Sequence, residues 1–181
     1  MANDDPSTSE WRRSLAVEAF NGAWDLIDQP SRTPGEDRDM LVRAAASRYL
    51  WDAVGSDDQR AVGDWQIAHV LSWMGEGSLA LRFAAAALER AEANGWEDWR
   101  RASCLEGVAR AHAVLGDEPE RDRYASLCQV ALGALADPED RDLIASQLAT
   151  VPGLSVPPSA GEQVPTEPHP GEGDPSASKR R

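Results

Sequence analysis

Few side chains in this chain have the type and spacing that chemistry needs. There are three histidines (His69, His112 and His169) and two cysteines (Cys104 and Cys128). A catalytic metal needs three or four converging ligands, and no His/Cys cluster occurs at ligand spacing. There is no P-loop, dinucleotide-binding glycine pattern, His-Glu-x-x-His, Gly-x-Ser-x-Gly or Cys-x-x-Cys. The expectation is no catalytic residue, no metal and no cofactor. His112 falls on an apolar helical stripe and reads as a hydrogen-bonded core histidine rather than a general base. The cysteines read as free and buried, because a bridge would require their Cα atoms within about 7 Å.

Three polar side chains could still converge: His69, Glu106 and Arg110. Together they would furnish a small-molecule-binding or enzymatic pocket between helical hairpins. The plainer reading of Glu106 and Arg110 is an i,i+4 ion pair on a solvated helix face, contributing only about 0.3–0.5 kcal/mol. The seven tryptophans are unusual. Trp24 and Trp51 lie on apolar stripes and are expected to pack between helices. Trp65 and Trp73 lie off the Ile67, Val70, Leu71 and Met74 stripe of their helix.

The elements that position these residues are all helices. A capping box at Ser7-Thr-Ser-Glu10 opens a helix carrying Ala16, Phe20, Trp24 and Ile27, which Pro30 ends. Thr33-Pro-Gly-Glu36 opens a second, with Met40, Ala44, Ser47, Trp51 and Val54 inward and Leu41 and Ala45 widening the stripe to two sides. Ser56-Asp-Asp-Gln59 opens a third. Gly75 and Gly77 bracket the following turn, and Asn94-Gly95 closes the fourth helix. Asp98, Asp117 and Asp137 can cap three more, the last carrying Leu143, Ile144 and Leu148. Seven helices follow: three hairpins and a closing helix.

From Ser56 to Ala136 one helix-turn-helix unit occurs twice, offset by about 41 residues, an interval typical of stacked helical arrays. Aligning Gly75 with Gly116 aligns Ala68 with Ala109, Leu71 with His112, and Ala84 with Ala125. In the second copy Leu105, Val108, Ala109 and His112 form one stripe, and Tyr124, Leu127, Cys128, Ala131 and Leu135 the next.

This pattern resembles the tetratricopeptide repeat: a small residue inside the first helix, glycine at the turn, and alanines down the second helix. The stretches Ala19-Phe-Asn-Gly-Ala-Trp24-Asp-Leu-Ile-Asp28 and Ala109-Arg-Ala-His112-Ala-Val-Leu-Gly-Asp117 are also similar to small actinobacterial-type tetratricopeptide-like proteins. The interval is longer than the family's usual period of about 34, and its aromatic hallmarks are only partly present. The resemblance implies an all-α helical-hairpin solenoid. It also implies a concave groove lined by the first helix of each hairpin: Trp65, His69, Ser72 and Trp73 in one copy, Ser103, Glu106, Arg110 and Ala113 in the next. Such a groove, with aromatic and arginine anchors, implies a non-catalytic scaffold that binds a protein or peptide. The Lys/Asn set that holds a peptide C-terminal carboxylate in some members is missing. Self-association into a homo-oligomer is the remaining alternative.

The net charge of −13 disfavours nucleic acid and anionic membrane surfaces. There is no apolar run of about 18 residues and no signal-peptide pattern, so the expected location is cytoplasmic. Residues 1–8 are expected to be disordered, 9–152 to form the repeat domain, and 153–181, rich in Pro, Gly and Ser, to be a disordered tail.

Overall fold

The computed structural model describes residues 6–154. Seven helices run in chain order: α1 (Pro6–Ile27), α2 (Pro34–Val54), α3 (Asp57–Trp73), α4 (Gly77–Ala93), α5 (Trp99–Leu115), α6 (Glu118–Ala134) and α7 (Pro138–Ala149). No strand occurs among the described residues, so the fold is all-helical. None of these helices is long and apolar enough to cross a membrane. The expected tail lies, from residue 155 on, outside the described residues.

Local chemistry sets the helix ends. Thr33 accepts from the Glu36 N–H at 3.3 Å while the Glu36 carboxylate accepts from the Thr33 N–H at 2.7 Å. Gln59 reaches back to the Ser56 N–H at 2.8 Å. Asp98, Asp117 and Asp137 accept from the N–H groups of Arg100, Glu120 and Glu139. These contacts satisfy first-turn donors that have no partner inside the helix. Gly75 and Gly116 follow α3 and α5 with φ of 80° and 74°, a left-handed conformation that lets the chain turn without a Cβ clash. The first helix differs from expectation. It opens at Pro6, so Ser7 lies inside its first turn and is not the cap.

Each helix packs on its neighbours in the chain, and α5 also lies against α3 and α7. Alanine makes this close approach possible. Ala68, Ala84, Ala87, Ala91, Ala102 and Ala109 are all fully buried in one core cluster, where each side chain loses no rotamer entropy on packing. The aligned pairs Ala68 and Ala109, and Ala84 and Ala125, are buried alike. A salt-bridged Asp64 on α3 joins Arg48 of α2 at 2.6 Å and Arg90 of α4 at 3.6 Å.

Burial departs from the one-sided stripes in several places. On α3 all residues from Gly63 to Ser72 are buried, and on α5 all from Ala102 to Ala111. Along these stretches side chains on every face are buried, so a single apolar stripe cannot describe them, while Trp73 and Trp99 at the helix ends stay exposed. On α2 the Met40, Ala44, Ser47 and Trp51 side is buried and Leu41 packs partly buried against the same core, but Ala45 is exposed, so the stripe widens on one flank only. The buried line of α6 is Ala125, Cys128 and Leu132, leaving Leu127 exposed. On α7, Ile144 and Leu148 are core while Leu143 faces outward. His112 is half-buried, stacked on Tyr124 with ring centroids 5.7 Å apart, its Nδ1 3.3 Å from Asp117 but without a hydrogen bond.

Candidate functional site

The odd-numbered helices present their residues to one side of the molecule. There they enclose a hollow of about 670 Å³, whose walls include Trp24, Trp65, Trp73 and Trp99. Its floor is a buried polar unit. Glu106 is fully buried. Its carboxylate accepts from the Arg110 Nε at 2.7 Å and from the Trp65 indole N–H at 3.3 Å. Arg110 also donates to the Gln147 carbonyl and the Thr150 hydroxyl, each at 2.7 Å, which ties α5 to α7. The His69 ring stands 3.9 Å from Glu106 through Nδ1, beyond hydrogen-bond reach, and that nitrogen has no partner.

The electrostatics follow from burial and pairing. Burial opposes ionisation of Glu106, but the Arg110 guanidinium beside it outweighs that and holds the carboxyl down at about 2. For His69, burial dominates and pushes the pKa down. Arg110 adds to this and Glu106 opposes it, so the ring is neutral near pH 7. The reading of Glu106 and Arg110 as a solvated surface pair is therefore wrong. They lie one turn apart on a helix that α3 and α7 flank, and water does not reach them.

The aromatic wall is contiguous. Ring centroids lie 5.6 Å apart for Trp24 and Trp65, 5.4 Å for Trp24 and His69, and 6.4 Å for Phe20 and Trp24. Trp73 stands at the mouth, about half exposed, with the guanidinium groups of Arg32 and Arg110 at 5.6 and 5.9 Å from its ring. Arg32 is spent locally. It donates to the Leu26 and Ile27 carbonyls at the end of α1 and pairs with Asp37 at 3.0 Å.

Of the residues singled out from the sequence, Trp65, His69, Trp73 and Ser103 line the hollow. Ser72 does not; it is buried and donates to the Ala68 carbonyl at 2.9 Å. Glu106 and Arg110 lie beneath the lining rather than in it. Trp24 is half-buried and forms wall as well as packing. Phe20, Trp99, Leu143, Asp28 and Asp140 also line the hollow and were not anticipated there. One signal could have found Trp24: it precedes Trp65 by the same interval that separates Trp65 from Glu106. Leu143 and Asp140 depend on where α7 docks, for which the sequence carries no comparable signal.

A smaller hollow of about 210 Å³ adjoins the first. It shares Phe20, Val62 and Trp99 with it and is completed by Val17, Trp51, Asp58 and Gln59. Among the described residues no three His, Cys, Asp or Glu side chains come together as a metal site would require. Cys104 and Cys128 are buried thiols, not bridged.

Fold and site together define an all-helical chain with an aromatic-walled trough above a buried Glu–Arg pair. No protein-family model, curated protein or solved structure matches it.

Proposed function

We propose that this chain is a non-catalytic binding module of tetratricopeptide-like type, holding a peptide segment of a partner protein in the trough. The observation that carries the reading is the pair of adjoining hollows with Phe20, Val62 and Trp99 in common. A binding surface that extends past one compact cavity suits an extended chain. Half-exposed Trp73, Trp99 and Leu143 at its edge supply the aromatic and apolar anchors that dominate peptide capture. Supporting the repeat itself, α3 and α5 each span 17 residues, each is followed by a glycine of positive φ, and aligned alanines are buried alike.

The test is selection of phage-displayed random dodecapeptides on the immobilised full chain. Peptides that bind the parent chain should lose binding to a Trp73→Ala, Trp99→Ala double variant whose circular dichroism is unchanged. Retained binding would remove the trough from the function.

One observation favours a second reading, a small-molecule site between hairpins. The larger hollow, about 670 Å³, falls inside the roughly 300–1,000 Å³ common for such sites. Glu106 and Arg110 would then act only as its support, since each is already paired. A thermal-shift screen of metabolite-sized compounds, followed by the same double variant, distinguishes the two readings.

A further inference from the structure

The trough is electrically one-sided. The side chains lining its two hollows include three carboxylates, Asp28, Asp58 and Asp140, and no lysine or arginine. The two cations nearest the Trp73 ring are both engaged: Arg110 by Glu106, Gln147 and Thr150, and Arg32 by Asp37 and the end of α1. The His69 ring, also in the lining, stays neutral near pH 7 because burial pushes its pKa down. Indole faces attract cations through their ring quadrupole, the more strongly when the cation is desolvated. A carboxylate near an aromatic wall makes that environment still more favourable for a positive group. An acidic peptide would meet the rim carboxylates, the net charge of −13 and no free counter-ion among the lining residues.

We infer that the occupant of the trough is a basic amphipathic peptide segment, with Arg or Lys side chains over the tryptophan faces near Asp28 and Asp140 and apolar side chains in the hollow. This rests on the peptide-binding reading and adds the chemistry of the partner. Recognition then divides between two parts of the surface. Trp73 and Trp99 supply area, and the carboxylates of the lining choose the sign of the charge.

The experiment sequences the dodecapeptides enriched on the full chain and measures the best binder by isothermal titration calorimetry at physiological salt. Enriched peptides should carry net positive charge beside aromatic or aliphatic residues. Asp28→Asn with Asp140→Asn should weaken the best binder about fivefold or more. Glu89→Gln with Glu92→Gln removes the same charge from an exposed stretch of α4 outside the trough and should change affinity less than about twofold. Enriched peptides that are neutral or acidic overturn the inference, as does equal weakening by both variant pairs, which would mean only bulk attraction. If basic peptides bind equally well to the Trp73→Ala, Trp99→Ala variant, the trough reading falls. If binding needs those tryptophans but not positive charge, the trough stands and this inference alone falls.

Discussion

The Trp65 indole N–H donates to the Glu106 carboxylate at 3.3 Å across 41 residues of chain, the same interval that aligns Gly75 with Gly116. Equivalent positions on α3 and α5 thus touch directly. Trp24, one further interval back, lies against Trp65. A row of side chains runs from α1 through α3 to α5, and the trough lies over it. The row also helps explain how a glutamate survives complete burial, since the Trp65 indole N–H donates to one carboxylate oxygen and the Arg110 guanidinium to the other.

Breaking this pair on one side should be costly. Glu106→Gln leaves Arg110 buried against a neutral amide, and loss of one partner of a buried pair costs about 3–5 kcal/mol. A Glu106→Leu, Arg110→Met double variant should recover most of that loss, because no charge is left stranded. Urea unfolding of the three proteins provides the comparison. A single-variant cost below about 1 kcal/mol, typical of exposed pairs, would mean that water reaches the pair.

Acid should destabilise the protein in two stages with the same sign. Both groups have depressed pKa values in the fold, so the unfolded chain binds protons more readily and stability falls with pH. For His69 the loss begins as pH drops below its ordinary 6.5. For Glu106 the contribution is complete above 4.5 and is lost as pH falls toward about 2, a change of roughly 3 kcal/mol at 1.36 kcal/mol per unit. The urea midpoint should decline from about pH 6.5 downward. His69→Gln should remove the upper part of the decline and leave the lower. A midpoint flat between pH 4.5 and 7 would contradict the His69 assignment, and one flat from pH 4.5 down to 2 would contradict that of Glu106.

Two kinds of glycine should respond differently to alanine. A Cβ on Gly107 would sit 2.8 Å from the Trp65 Cδ1, and that indole is held by Glu106 and by Trp24. Displacing it should cost about 1–3 kcal/mol, offset by about 1 kcal/mol of helix propensity, with an altered tryptophan emission. At Gly75 and Gly116 a Cβ meets nothing within 4 Å, so the cost there is conformational only, about 1–2 kcal/mol for a left-handed alanine. It should be nearly equal at the two sites, with emission unchanged. Unequal costs would argue that the two turns are not equivalent.

The cysteines should be silent in the native state. Burial, with Glu106 and, for Cys104, Asp64 nearby, pushes both thiols up to about 12. The thiolate is the reactive form, so a disulfide reagent at pH 8 should leave both unmodified until urea unfolds the chain, and then modify both. Fast labelling without urea would place one of them near the surface.

The all-helical class, the seven helices and most of their ends are written in short-range signals. Thr33 with Glu36, Asp98, Asp117 and the glycines at 75 and 116 act within one or two turns of themselves, so their effects are legible from neighbouring letters. The burial of the aligned alanines was legible for a related reason, since only a small side chain suits a close helix contact. The polar interior was not. Glu106 and Arg110 have the spacing of a surface pair, and spacing along one helix does not reveal what covers it. Their burial was decided by α3 and α7 closing over α5, and by Trp65, Gln147 and Thr150 arriving from distant parts of the chain with matching hydrogen-bonding groups. The trough has the same origin: Phe20, Trp65, Trp99 and Leu143 belong to four different helices, and only their packing determines that these side chains share one wall.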